Sequence, residues 1–357
     1  MNLLWFGKTG EANAWYHITL SASPDEIENL YVVRHKKPVR SVASDKVVYS
    51  TIEKRGIIPQ KVKLLAKGFR VLRENEIDGI ITFNVFPYGF LSFLLAILFN
   101  KKLILCFIGA DFNHYFYKQP FRFLILRSLE RSDAIICKGH HMTAGLLEAG
   151  IEREKLHYYP HFVSYDMFAD SALPTKTYDV ITVCELIRRK RVDSILKAIQ
   201  ALKDNGQEMK ACIVGTGEEM EELKRLSREL QIEHLVTFTG FQKDVKSYLL
   251  QSKIFVQTSA GEGLSLALME AIACGLVPVV SRAGSEEDII DHGENGYLMT
   301  PDSPDELADY LKELFYLKKY SRIRNNVLKD REIYRLENAK ESMQEILKFV
   351  LKKNTNN

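Results

Sequence analysis

Two glutamates eight positions apart, Glu262 and Glu270, bracket the stretch Gly263-Leu264-Ser265-Leu266-Ala267-Leu268-Met269. Paired carboxylates work on glycosidic bonds when they stand roughly 5–9.5 Å apart. Eight residues of continuous helix rise about 12 Å, which is poor spacing for such a dyad. The span suits a long ligand held at both ends, with its phosphates at the amides between. Gly263, Leu264 and Ser265 would open a helix, and the first N–H groups of a helix have no partner within it and favour anions. A nucleotide-sugar has that shape, with ribose at one end and hexose at the other. The alternative is a core helix whose two glutamates cap it or pair with arginines.

The elements that would hold these residues are readable on either side. Ile254-Phe255-Val256-Gln257-Thr258 is short, apolar and β-branched, which predicts a buried strand. From Ser265 to Cys274 the only polar side chains are Ser265 and Glu270, and Gly275 follows as a helix-ending residue. A helix that is apolar nearly all round is buried. Glu270 therefore needs a partner, because even a neutral polar group buried without one costs on the order of 2–7 kcal/mol. A second cluster, Arg188-Arg189-Lys190-Arg191, follows the predicted strand Asp179–Cys184 and needs either an anion or solvent.

Glu262 to Glu270, continued by Ala271-Ile272-Ala273-Cys274-Gly275-Leu276-Val277-Pro278-Val279-Val280, resembles the E-x7-E signature of the retaining GT-B glycosyltransferases of family 4, the glycosyl transferases group 1. Gly284 and the stretch Asp291-His292-Gly293-Glu294-Asn295-Gly296-Tyr297-Leu298 resemble that family's next landmark. The match is specific in the C-terminal half and weaker in the N-terminal half. It implies an α/β chain of two facing Rossmann-like domains with a deep interdomain cleft. Residues 1–170 would bind the acceptor, 178–335 the nucleotide-sugar, and 336–353 would form a helix crossing back to the first domain.

By the same resemblance, Glu262 contacts the donor sugar's hydroxyls, Glu270 contacts the ribose, and Lys190 neutralises the diphosphate. Gly263, Leu264 and Ser265 offer amides, Gly10 lies in a glycine loop near the diphosphate, and Gly240 and Phe241 run along the base pocket. The family places an Arg where this chain has Glu185, so Arg188 and Arg189 are candidates to compensate. Ile108-Gly109-Ala110-Asp111 resembles the family's His-Gly-Ser-Asp, with Ile108 at the His position and His114 nearby as a substitute. The implied reaction moves a sugar from a nucleotide-sugar to a glycan or lipid-linked acceptor with retention of configuration, in surface polysaccharide or glycolipid assembly. The nucleotide-sugar is a substrate, and neither a cofactor nor a metal is expected. Two rivals keep the fold: a nucleotide-sugar-binding protein without catalysis, and a GT-B epimerase.

The remaining features bound these readings. A chain of 357 residues suggests two domains. The net charge of +3 gives no global sign of nucleic acid, but residues 1–150 carry +7 and the rest −4. Pro59 to Glu74 predicts a helix with an apolar stripe of Val62, Leu65, Phe69 and Leu72 and, between them, Lys61, Lys63, Lys67, Arg70 and Arg73. Such a helix can lie on an anionic membrane surface; the alternative is a surface helix with its stripe in the core. Five scattered cysteines read as small core residues in a reducing compartment. His157 and His161 flank Pro160, which argues against a helical metal pair. The longest apolar run, Phe90 to Phe99, is half a membrane span. With no signal peptide expected, the location predicted is cytoplasmic, or peripheral on the inner face of the membrane. Strands are also predicted at Leu3–Phe6, Tyr31–Val33, Lys46–Tyr49, Gly79–Phe83, Leu103–Phe107, Ala134–Cys137 and Tyr158–Phe162, and Ser171–Thr177 reads as a linker.

Overall fold

A computed structural model describes residues 1–7, 18, 21–36, 44–52, 59–107, 116, 121–137, 140–158, 162–163, 176–261, 265–316 and 319–352. The chain divides into two compact units, Met1–Pro160 with Glu337–Asn357, and His161–Leu336. Each unit is built on a parallel sheet, and its strands read as continuous apolar runs because helices cover both faces of such sheets.

In unit 1 the strands are β1 (Asn2–Phe6), β2 (Asn29–Arg34), β3 (Val47–Thr51), β4 (Gly79–Phe83), β5 (Lys102–Phe107), β6 (Ala134–Cys137) and β7 (Leu156–Tyr158). They pair in the order β3-β2-β1-β4-β5-β6-β7. The helices described are α1 (Gln60–Glu74), α2 (Phe90–Phe99), α3 (Phe121–Glu130) and α4 (His140–Glu148). From β3 onward every crossover steps the same way across the sheet, so the right-handed rule puts these helices on one face. The last strand lies at Leu156–Tyr158, upstream of the predicted Tyr158–Phe162, and Tyr159 to His161 fall outside the described residues.

The predicted stripe of α1 holds for Leu72, which is buried, and Leu65, which packs on the core, but not for Val62 and Phe69. Leu64, Gly68, Val71 and Leu72 are buried, while Val62 and Phe69 are exposed. Gly68 is the cause: a Cβ there would meet Phe6 at 2.8 Å and Leu95 at 3.0 Å. The missing side chain lets the helix settle onto the sheet along its glycine side, which rotates Val62 and Phe69 outward.

In unit 2 the strands are β8 (Tyr178–Val183), β9 (Ala211–Val214), β10 (Val236–Gly240), β11 (Ser252–Gln257), β12 (Val277–Ser281) and β13 (Tyr297–Met299), ordered β10-β9-β8-β11-β12-β13. The helices are α5 (Val192–Asp204), α6 (Met220–Glu229), α7 (Lys246–Leu250), α8 (Leu266–Ala273), α9 (Pro304–Tyr316) and α10 (Tyr320–Asp330). β13 has no counterpart in the sequence reading. The strand order reverses between β8 and β11, and open α/β sheets bind ligands at the carboxyl edge of such a switch point. Val163 joins this unit, its N–H donating to the Tyr334 carbonyl at 2.9 Å. It precedes the 171–177 stretch, of which 171–175 lie outside the described residues.

The last helix, α11 (Leu336–Lys352), is assigned from Glu337 onward to unit 1. Gln344 donates to Glu26 at 3.2 Å, Lys348 pairs with Glu26 at 3.4 Å, and Phe349 meets the His157 ring edge-on. Among the described residues no helix is long and apolar enough to cross a membrane. Four of the five cysteines are buried, and none of the five is in a disulfide. Burial pushes the thiols of Cys137, Cys212 and Cys274 up to about 12.

Candidate functional site

The loops that leave β8 and β11 meet at the switch point of unit 2. After β8 the chain passes Glu185, which is exposed, and makes a short 3-10 turn at Arg188–Lys190 before α5. After β11 comes Thr258, whose hydroxyl hydrogen is shared between the carbonyls of Lys190 and Arg191 at 3.0 and 2.7 Å. The Ala260 N–H donates to the Arg189 carbonyl at 2.9 Å, and the Arg189 guanidinium donates to the Gly261 carbonyl. These bonds, between residues about seventy positions apart, seat the cationic turn beside the loop that runs into Glu262.

The four cations are not equivalent. Arg191, in a left-handed conformation at φ 52°, pairs with Asp193 at 3.3 Å and with Asp302, which also accepts from Ser194. Its charge is balanced internally and anchors the start of α5. Arg189 is committed to the Gly261 carbonyl, Arg188 is exposed, and Lys190 is half-buried.

α8 runs over Leu266–Ala273, directly after the Ser265 turn. Ser265 is its N-cap, accepting from the Leu268 N–H at 3.4 Å, so the first helical residues are Leu266 and Ala267. A capping side chain satisfies one of the helix's first donors; the N–H groups of Leu266 and Ala267 have no acceptor within the helix. Ser265 thus serves by its side chain, and the expected span from Glu262 to Glu270 lies partly outside the described residues. From Leu266 to Glu270 a helix rises only about 6 Å. Leu268, Met269, Ala271, Ile272 and Ala273 are buried, whereas Leu266, Ala267 and Glu270 are half-buried on one shared face. The helix ends as expected at Gly275, φ 76°, where the Leu276 N–H reaches the Ala271 carbonyl at 3.0 Å and the Gly275 N–H the Ile272 carbonyl at 2.9 Å.

Several supporting residues carried no signal in the sequence. Gln257 donates to the fully buried Glu286 at 3.0 Å, and Ser281 donates to the Ser259 carbonyl at 2.6 Å, fixing the far side of the β11–α8 loop. On the other side, Gly215 and Gly217 follow β9. A Cβ on Gly215, at φ 138°, would strike the Cys184 carbonyl oxygen, and one on Gly217 the Leu186 carbonyl. The Leu186 N–H donates to Thr216 at 3.0 Å and the Glu219 N–H to Leu186 at 2.9 Å, so this loop backs the cationic turn. Gly217→Ala is accordingly expected to destabilise unit 2 by about 1–3 kcal/mol, the usual range for overpacking. Thermal denaturation reads this, and an unchanged melting curve would contradict the close packing.

Gly240, φ 69°, accepts from the Gly215 N–H at 2.9 Å, and the neighbouring Phe241 is 77% exposed. The carboxyl edge therefore carries, in sheet order, Gly240–Phe241, Gly215–Gly217, the Arg188–Lys190 turn, and Gly261 leading to Ser265. Glu262, Gly263, Leu264, Gly10, Asp111 and His114 lie outside the described residues. Among the described residues no group of three His, Cys, Asp or Glu is arranged to hold a metal ion. A half-buried lysine, two helix starts and a half-buried glutamate can together receive an anion flanked by hydroxyl groups.

Residues 164–330 match the family model described as Glycosyl transferases group 1. N-acetyl-alpha-D-glucosaminyl L-malate synthase of Bacillus anthracis is 24% identical over 300 residues, 80% of this chain and 75% of that protein. An uncharacterized glycosyltransferase of Haemophilus influenzae is 36% identical over 131 residues, so this chain spans only 37% of its length. The crystal structure of HepE from Anabaena in complex with UDP superposes with a TM-score of 0.79 over 98% of this chain and all of that one, at 18% identity, a likeness of fold alone. Residues 164–330 are thus similar to the glycosyl transferases group 1, and the two parallel-sheet units share the GT-B fold of the solved glycosyltransferases.

Proposed function

We propose that the protein is a retaining, family 4 glycosyltransferase that moves a sugar from a UDP-sugar to a glycan or lipid-linked acceptor. One observation carries the reading: hydrogen bonds from Thr258 and Ala260 seat the Arg188–Lys190 turn against the loop leading into Glu262, at the switch point of a parallel sheet. The diphosphate sits between Lys190 and the amides before and within the first turn of α8, Glu270 takes the ribose hydroxyls, and Glu262 takes those of the sugar. Gly240 and Phe241 border the base, Gly10 belongs with the diphosphate, His114 near Asp111 substitutes for the family's histidine toward the donor sugar, and unit 1 binds the acceptor. The UDP bound by HepE supports a uridine-linked donor.

In the step proposed, the bond from the anomeric carbon to the β-phosphate oxygen breaks while the acceptor oxygen bonds to that carbon on the same face. The departing phosphate takes the acceptor's proton. Lys190 and the helix-start amides stabilise charge as it develops on the leaving group, so no side-chain nucleophile and no cofactor are required. The exposed acidic Glu185, in a position where the family carries a cation, favours a second reading in which the donor binds without turnover.

Glu270→Gln tests the donor grip. It keeps the side chain's shape and removes its charge, and a hydrogen bond to a charged group contributes roughly 1.5–3 kcal/mol. UDP affinity by calorimetry should fall about 10- to 100-fold, with an unchanged circular dichroism spectrum. Unaltered affinity would remove Glu270 from the site.

A further inference from the structure

Single exposed apolar side chains are ordinary on protein surfaces, but a cluster of them marks a contact site. Ten large hydrophobic residues are exposed among the described residues, and six of them, Val62, Phe69, Leu94, Ile97, Leu98 and Phe123, stand on α1, α2 and α3 of unit 1. Ile97 and Leu98 are 57% and 66% exposed, on a helix with no charged residue along its length. α1 and α2 are in direct contact, with the Phe69 and Phe99 rings 5.0 Å apart and edge-on. The crossovers place all three helices on the same face of the sheet.

This apolar strip is bordered by cations. α1 carries Lys61, Lys63, Lys67, Arg70 and Arg73 and has no acidic residue before Glu74, its last. Beyond α2, a cavity of about 610 Å³ is lined by Phe93 and Ile97 together with Lys101, Lys102 and Arg131 and the aspartates Asp78 and Asp133, of which Asp133 pairs with Lys102 at 3.0 Å. On α3, Arg127 pairs at 3.3 Å with Glu130, the one acidic residue of this helix, and Arg122 adds a further cation. An apolar face edged by lysine and arginine suits a bilayer interface, where acyl chains take the apolar residues and anionic headgroups the cations.

We propose that the α1–α2–α3 face of unit 1 docks on an anionic lipid bilayer. Val62, Phe69, Leu94, Ile97 and Leu98 enter the acyl boundary, and the α1 cations with Lys101 and Arg131 meet the headgroup phosphates. The inference stands on the surface of unit 1 and is independent of the reaction proposed for unit 2.

Co-sedimentation of the full chain with vesicles tests it, comparing equal parts phosphatidylglycerol and phosphatidylcholine with phosphatidylcholine alone. At low salt the anionic vesicles should retain the protein at least about tenfold better, and the difference should shrink as salt screens the charges. Lys61→Glu with Arg70→Glu, and separately Ile97→Gln with Leu98→Gln, should each lower binding about tenfold or more. Both pairs are surface changes, so melting temperature and transfer to a soluble acceptor should not move. Equal recovery on neutral and anionic vesicles, or binding indifferent to both pairs, overturns the proposal. So does a dimer in sedimentation velocity that Ile97→Gln with Leu98→Gln abolishes while the wild type ignores vesicles; that result makes the face an interface between copies of the chain.

Discussion

Lys190→Ala is expected to lower the transfer rate by roughly 10²–10³, the usual loss when one well-placed electrostatic group is removed from a developing charge. The turn that holds Lys190 is fixed by backbone carbonyls accepting from Thr258 and Ala260, not by the lysine side chain, so the loop should keep its course in the variant. The ground-state diphosphate already has the helix-start amides, and the lysine matters most as the bond to the sugar breaks. UDP affinity should therefore fall much less than turnover. Calorimetry beside steady-state kinetics separates the two, and an equal loss in both would make Lys190 a binding residue only. Arg191→Ala should behave differently. Arg191 is paired with Asp193 and Asp302, so its loss should lower stability before it touches the chemistry.

Glu262→Ala is expected to leave UDP binding nearly intact and to depress transfer by a similar factor, about 10²–10³. UDP carries no sugar for Glu262 to hold, whereas the full donor relies on it to orient the anomeric carbon. UDP binding in this variant should thus match wild type while UDP-sugar turnover collapses. A parallel loss of UDP affinity would move Glu262 from the sugar to the nucleotide. With Glu270→Gln the pattern reverses, since that variant should lose UDP and UDP-sugar binding together.

The architecture was readable because parallel strands leave apolar runs between helices, and Gly275 marked the end of α8 correctly. The turn at Ser265 marked the start of α8 as well, since Ser265 caps a helix that begins at Leu266. β13 escaped because three residues, Tyr297–Met299, show no periodicity. In α1 the hydrophobic spacing pointed to Val62 and Phe69, but the close approach of Gly68 to Phe6 and Leu95 leaves both exposed. The site's scaffolding was the least legible part. Thr258 looked like the end of a strand, yet its hydroxyl joins two loops. Arg191 looked like its three neighbours until Asp302, 111 residues on, was found beside it. Nothing in the sequence around Gly215 and Gly217 shows that the carbonyls of Cys184 and Leu186 occupy the space their side chains would need. Long-range backbone hydrogen bonds leave no spacing in a sequence, and here they do the positioning.

Anomeric-proton NMR of the wild-type protein, incubated with a panel of UDP-sugars and glycan or lipid-linked acceptors, tests the central claim most directly. One spectrum distinguishes donor, transferred sugar and any epimer. The account predicts a new anomeric signal with the donor's own configuration, appearing only when acceptor is present and matched by released UDP. A donor signal that persists unchanged across the panel, with UDP bound tightly by calorimetry, would contradict transfer in favour of a binding protein; conversion to an epimeric sugar without acceptor would contradict it in favour of an epimerase.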